Sequence, residues 1–199
     1  MNIDTKTYYA ENGYYKEEHN KTQILLSGSL RKGSNRIIRY KNQVNGKGKF
    51  WPNYTITREG IIYEHFSPKY YSNYFGVSHI DYKIITVELE NMGWLLQDDN
   101  EYYYNWINDS CNADSVYKRQ FRGYLFWEKY TLKQINSTIK LCDYLCEKYN
   151  IRKDTYGHNV IESNAEKFYG IVTRANYSDE YTDLNPSFNW KKLIDKLNI

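Results

Sequence analysis

The sequence predicts an α/β fold, a central mixed β-sheet flanked by helices. Three observations carry this. Short apolar, β-branched runs recur along the chain and peak at Lys83-Ile84-Ile85-Thr86-Val87-Glu88-Leu89. One long stretch, residues 131–149, repeats its apolar positions at three- and four-residue intervals. Strand-like and helix-like segments also alternate rather than cluster, the pattern of helices packed on a sheet.

Residues 1–20 are polar and Tyr-rich and predict an irregular arm ahead of a folded region over 21–199. Gln23-Ile24-Leu25-Leu26 is a short apolar run that predicts a buried strand, ending in Ser27-Gly28-Ser29 and then Leu30-Arg31-Lys32-Gly33-Ser34. Residues 35–42 follow as a helix, and Gly46-Lys47-Gly48-Lys49 as a turn. Tyr54-Thr55-Ile56-Thr57 and Ile61-Ile62-Tyr63 flank Arg58-Glu59-Gly60, a hairpin pattern. After the strand at 83–89, Asn91-Met92-Gly93 is a stop. Residues 97–120 are polar and aromatic with loop markers, and no element is assigned there. Thr131 with Gln134 three residues on predicts a capping box at the start of the long helix. Leu132, Ile135, Ile139, Cys142, Cys146 and Tyr149 form its apolar face. Ile171-Val172 predicts a last short strand, and residues 189–197 a terminal helix with Trp190, Leu193, Ile194 and Leu197 on one face.

Composition narrows the function. The 199 residues can bury a core without disulfides. The 23 Tyr, 7 Phe and 5 Trp supply rings for packing or for a binding surface, and the many Tyr depress the mean hydropathy to −0.83. A net charge of +3 and a pI near 8.5 fall short of the basic balance expected for duplex nucleic acid. No run approaches the roughly 20 apolar residues that span a bilayer. The first residues, Met1-Asn2-Ile3-Asp4-Thr5-Lys6, lack the apolar region of a signal peptide, so a cytoplasmic location is expected. The three Cys are an odd number without a CxxC pair, which disfavours a disulfide framework or a structural zinc site.

The order of motifs resembles the type 2 N-acetylmuramoyl-L-alanine amidases, the fold shared by phage endolysins and peptidoglycan recognition proteins. The matching residues are Ile56-Thr57-Arg58-Glu59-Gly60-Ile61-Ile62-Tyr63 and Ile85-Thr86-Val87-Glu88-Leu89-Glu90-Asn91-Met92-Gly93. The capped helix start at Tyr130-Thr131-Leu132-Lys133-Gln134-Ile135, Gly170-Ile171-Val172 and the closing Thr182-Asp183-Leu184-Asn185-Pro186 complete the series.

The resemblance implies a zinc hydrolase that cuts the amide between a glycan lactyl group and the stem-peptide L-alanine. It also implies a site of two imidazoles and a third Cys or Asp ligand, with zinc-bound water as nucleophile. On this alignment Ser27 stands at the first ligand position, Arg174 at the second, and Asp183 at the third. Guanidinium stays protonated and cannot ligate, and a neutral hydroxyl is a poor substitute for imidazole. Tyr181 replaces a frequent Lys two residues before the third ligand, and Tyr74 stands where the family has a His in an aromatic-His-x-Gly segment. The scaffold motifs are kept while the ligands are lost, so a catalytically inactive, metal-free relative is expected. Its predicted role is to bind or sequester a small anionic ligand. A muropeptide fits by family inheritance. A nucleotide fits by chemistry, in which case a phage protein that sequesters a host immune signal is the corresponding role.

The expected ligand contacts are Arg174 paired with Asp183, Ser27, Ser29 and Arg31 on the first loop, Glu88 on the cleft floor, and Tyr74, Trp51 and Tyr181 as aromatic walls. Two alternatives stay open. One is an active amidase with a rearranged zinc site around His158 and Asp183. The other is a structural or interaction protein on the same fold.

Overall fold

Strict alternation along six strands gives the main sheet one apolar face and one face that turns polar at its end. The computed structural model describes residues 1–33, 35–42, 48–157 and 160–199. In chain order the elements are β1 (Ile3–Asp4), β2 (Gln23–Gly28), α1 (Asn35–Asn42), β3 (Tyr54–Ile56), β4 (Ile62–Glu64), α2 (Ser78–Asp81) and β5 (Ile84–Leu89). Then come β6 (Trp94–Gln97), β7 (Tyr103–Tyr104), β8 (Ser110–Cys111), β9 (Val116–Phe121), β10 (Tyr124–Glu128), α3 (Leu132–Tyr149), β11 (Gly170–Thr173) and α4 (Trp190–Leu197).

The main sheet has the order β1-β4-β3-β5-β2-β11. Strand β5 is interior and runs parallel to β2 and β3, β11 runs parallel to β2, and β3 pairs antiparallel with β4. The sheet is therefore mixed, as the sequence predicts. Successive residues of a strand point to opposite faces. Ile24, Leu26, Tyr54, Ile56, Ile85, Val87 and Ile171 accordingly share one core with Ile135, Ile139, Cys142 and Leu145 of α3 and Leu193 and Leu197 of α4. Leu25, Ile84 and Val172 pack with Ile80 of α2 in a separate cluster. A third cluster, Ala10, Tyr14, Ile37, Tyr40, Trp51 and Phe66, joins the N-terminal segment to α1.

The structure corrects three local expectations. Residues 1–20 are not a bare arm: β1 pairs parallel with β4, and Tyr14 is buried and stacks on Phe66 at 4.5 Å. Residues 97–120, left without an element, build a second sheet with order β8-β7-β6-β10-β9, antiparallel throughout. The capping box at α3 is half formed. Thr131 Oγ1 accepts from Gln134 N–H at 3.1 Å, but the Gln134 side chain turns inward, and its Nε2 donates to the Ile56 and Glu90 carbonyls at 3.1 and 2.8 Å. Gln134 is fully buried, so its amide satisfies carbonyls of the sheet instead of the helix end.

The β3–β4 hairpin turns on Gly60, whose φ of +82° favours glycine. It also lies against α3: a Cβ there would stand 2.9 Å from the Lys133 carbonyl and the Ser137 hydroxyl. The turn thereby sets the distance between hairpin and helix.

Candidate binding site at the strand ends

The polar end of the sheet follows from register. Ser27 of β2 lies opposite Glu88 of β5, and Glu88 opposite Thr55 of β3, so three polar side chains form a row across adjacent strands. Thr173 of β11 pairs with Leu26, which brings Arg174 to the same end of the sheet beside Ser27. Asp183 returns from the closing segment. Arg174 Nε donates to Asp183 Oδ2 at 2.6 Å, and Arg174 Nη2 to the Gly28 carbonyl at 3.4 Å. Ser27, Arg174 and Asp183, far apart in sequence, are thus brought to one place.

Gly28 permits this convergence. A Cβ on it would meet the Tyr130 hydroxyl at 3.3 Å and Asp183 Cβ at 3.9 Å. The Asp183 side chain is 3% exposed and the Arg174 side chain 17%, so the pair is buried on the carboxylate side and open on the guanidinium side. Burial works against the Arg174 charge. The Asp183 carboxylate and its hydrogen bond more than offset it, and the guanidinium stays protonated above its ordinary range. Its Nη1 makes no hydrogen bond among the described residues.

Glu88 is fully buried, and neither it nor Ser27 is among the residues that line the neighbouring cleft. Its Oε2 accepts from the Tyr74 hydroxyl at 2.8 Å and the Tyr40 hydroxyl at 2.9 Å, with Arg36 Nε at 3.6 Å. Because the Tyr74 proton is committed to Glu88, Ser27 Oγ donates to the Tyr74 oxygen at 2.7 Å. Burial beside Glu88 raises the pKa of both tyrosines well above the usual phenol value, so both remain donors. Glu88 Oε1 has no partner among the described residues.

A cleft of about 350 Å3 opens beside Arg174. Residues 179–183 of the closing segment line it together with Leu30, Trp94, Arg122 and Tyr124. The Tyr181 ring centre lies 5.3 Å from the Arg174 guanidinium, and Trp94 stacks on Tyr124 at 4.5 Å.

The other expected contacts are placed differently. Trp51 is not an aromatic wall: it is 3% exposed, held between Tyr40 and His65 with Gly13 against its ring. Its large apolar body favours the core. Ser29 is buried and bonded to the backbone of Asn91 and Arg31, so its hydroxyl is committed. Arg31 packs over Trp106 at 4.9 Å, away from the cleft. Tyr74 presents its hydroxyl to Glu88 and Ser27 and does not line the cleft. His158 and Ser34, and the expected turn residues Gly46 and Lys47, lie outside the described residues. Arg36, Tyr40, Arg122 and Tyr124 are site residues that sequence reasoning missed. The four-residue spacing of Arg36 and Tyr40 on one helical face was the only local signal for the first two.

The resemblance implies zinc at the strand ends, and the side chains at those three positions do not fit it. Ser27 offers a neutral hydroxyl bonded to Tyr74. Arg174 offers a cation. Asp183 offers one carboxylate, and that guanidinium already occupies it. A metal would have to displace a buried ion pair and would gain one good ligand.

Known proteins share this fold. A family model described as N-acetylmuramoyl-L-alanine amidase matches residues 16–167. The fold is similar to that of the N-acetylmuramoyl-L-alanine amidase LysC from Clostridium intestinale URNW, with TM-score 0.59 and 13% identity over 100% of this chain and 99% of that one. It is also similar to the E. coli amidase AmiD in complex with anhydro-N-acetylmuramic acid-L-Ala-D-gamma-Glu-L-Lys, with TM-score 0.58 and 13% identity over 91% of this chain and 59% of that one. A third similar structure is AmpDh3 from Pseudomonas aeruginosa in complex with anhydromuramic pentapeptide, with TM-score 0.56 and 13% identity over 98% and 66% of the two chains. No curated protein sequence matches the chain.

Proposed function

The chain belongs to the N-acetylmuramoyl-L-alanine amidase family, and from that premise we propose that it binds a peptidoglycan fragment without cutting it. One observation carries the reading: the Arg174 guanidinium is paired with Asp183 at the strand ends, where the family's chemistry calls for a metal. An internal cation on a carboxylate can organise the closing segment, but it cannot acidify a water. The site therefore keeps the means to hold a ligand and lacks the means to hydrolyse it.

The charge balance of the cleft selects among ligands. Arg122 and Arg174 face Asp179, Glu180 and Asp183, so the lining has no net positive field. A polyphosphate would approach a lining whose three carboxylates outnumber its two guanidiniums, whereas a muropeptide that carries both carboxylate and amine finds partners for each. The free Nη1 of Arg174 suits a stem-peptide carboxylate. Tyr181, Trp94 and Tyr124 offer rings to sugar or peptide faces. The nucleotide reading, by the same count, is disfavoured.

Calorimetric titration with an N-acetylmuramoyl tripeptide, alongside a cyclic dinucleotide and a lysis assay with and without chelator, tests the proposal. Saturable muropeptide binding with no release of the glycan–peptide amide product is expected, and Arg174→Ala should remove the binding heat. Zinc-dependent cleavage abolished by chelator would overturn the reading in favour of an active enzyme, with His158 and Asp183 then the ligands to test. Binding of the dinucleotide alone would move the ligand class.

A further inference from the structure

The closing segment that carries Arg174, Tyr181 and Asp183 has little regular structure of its own. The short turn at Arg174–Asn176 is tied to the preceding loop, where Glu162 N–H donates to the Asn176 carbonyl at 3.1 Å; beyond it the backbone bonds are local, Tyr177 N–H and Ser178 N–H to the Arg174 carbonyl at 2.9 and 3.3 Å, and Tyr181 N–H to the Ser178 carbonyl at 3.4 Å. No strand neighbour holds it. A segment with so few partners is expected at the low-stability end of a fold.

Side chains hold it instead: the Tyr177 hydroxyl donates to Gln23 Oε1 of β2 at 2.5 Å, the Tyr177 and Tyr181 rings lie against Phe75, and a further tie comes from the other sheet. Strands β9 and β10 are joined by Arg122-Gly123, with φ of 44° and 85°, a two-residue turn of the kind that tight hairpins use. From this tip the Arg122 side chain crosses to the closing segment. Its Nη2 donates to the Ala175 carbonyl at 3.0 Å, and its Nη1 to the Ser178 carbonyl at 2.8 Å and to the Tyr181 carbonyl. Three carbonyls of one irregular segment thus converge on one planar guanidinium, whose fork of donors suits several acceptors at once. Arg174 ties the same segment to β2 from the opposite side through Asp183 and Gly28.

We propose that Arg122 is a positioning residue for the ligand cleft: the hairpin tip of the second sheet fixes the closing segment, and through it Tyr181 and Asp183. This rests on the binding reading above for its ligand, but the clamp has its own readout. The second sheet then takes the carbonyls of residues 175–181, while β2 holds the same segment only through the Tyr177 hydroxyl on Gln23 and through Arg174.

The test compares the full chain with Arg122→Ala and Arg122→Lys. All three carry a Cβ at the positive-φ position, so backbone strain is shared and the guanidinium is the variable. Hydrogen exchange should be at least tenfold faster at the amides of Tyr177, Ser178 and Tyr181 in Arg122→Ala, with β2 and β5 amides unchanged. Muropeptide affinity should fall about tenfold or more at a nearly constant thermal midpoint, and Arg122→Lys should recover part of both. If these amides exchange as in the wild type, or if they open and affinity does not change, the proposal is overturned. Should Arg122→Ala fail to fold, the Lys variant alone carries the comparison, with an intermediate loss of protection expected and wild-type exchange overturning the clamp. A wild-type chain that binds no muropeptide would sink the binding reading, and the exchange comparison would then decide the clamp by itself.

Discussion

Arg174 and Asp183 form the pair on which the site depends. Asp183 is almost wholly buried, so removing its partner leaves a carboxylate without compensation. Breaking such a pair from one side costs about 3–5 kcal/mol, and the partial exposure of Arg174 argues for the lower end. Arg174→Ala should therefore lower the urea-unfolding free energy by about 3 kcal/mol. Arg174→Ala combined with Asp183→Asn should cost less than the sum of the two single changes, and a strictly additive cycle would show that the pair is not coupled. Glu90 makes a second residue-scale prediction. It is 4% exposed, and burial pushes its carboxyl up to about 7, against a partial offset from the Arg58 N–H, which it accepts at 3.3 Å. A folded-state pKa above the ordinary 4.5 means that the native state binds the extra proton, so this group's contribution is full below pH 4.5 and is lost as pH rises through 7. Glu90→Gln should remove that decline. The variant should match the wild type near pH 4 and exceed it above pH 7, by on the order of 3 kcal/mol at most. Denaturant titrations at the two pH values check the sign.

At the scale of elements, two glycines separate strain from packing. Gly60 and Gly76 both have strongly positive φ, but a Cβ on Gly76 meets nothing within 4 Å, while one on Gly60 meets the α3 backbone. Gly76→Ala should cost only the left-handed strain, about 1–2 kcal/mol. Gly60→Ala should cost about 2–4 kcal/mol, because hairpin and helix must also move apart. Equal shifts in urea midpoint would show that the hairpin has slack against α3. The same elements show what a sequence can convey. Strands β2, β5 and β11 are legible as apolar runs. Their parallel register brings Ser27 and Arg174 to one edge, but it was the family resemblance that led Ser27, Arg174 and Asp183 to be expected together. Strands β7, β8 and β9 of the second sheet were illegible because they are short or polar and half-exposed, whereas β6 and β10 are apolar, aromatic runs too short to separate strand from loop by periodicity. Arg122 acts through carbonyls some fifty residues away, and nothing in Phe121-Arg122-Gly123-Tyr124 announces that contact. Trp51 was misassigned for a different reason: an indole suits a groove wall and a core equally well, and only packing decides.

For the whole molecule, the N-terminal segment connects the hydrogen-bond network around Glu88 to the rest of the fold. Tyr14 stacks on Phe66, Gly13 lies against Trp51, and Trp51 packs on Tyr40, whose hydroxyl holds Glu88. His65 is fixed in the same place. Its Nδ1–H donates to the Tyr8 carbonyl at 2.8 Å, so its Nε2 accepts from the Thr55 hydroxyl at 2.8 Å. The Thr55 bond requires the neutral ring, and complete burial, only partly opposed by the Tyr8 carbonyl, pushes its pKa down to about 4. A folded-state pKa below the ordinary 6.5 means that the unfolded chain binds the extra proton, so this contribution is full above pH 6.5 and is lost as pH falls toward 4. Deleting residues 1–15 removes the Tyr8 acceptor, the Tyr14 ring and the cover over Trp51 together. The burial lost, chiefly one aromatic side chain and its neighbours, is worth about 3–5 kcal/mol. The shortened chain should unfold at a lower temperature and show red-shifted tryptophan emission from Trp51. It should also lose the acid slope between pH 6.5 and 4, because a His65 open to water titrates alike in both states. If emission and acid slope both match the intact chain, the segment is an appendage, and the network around Glu88 is supported by the sheet and α1 alone.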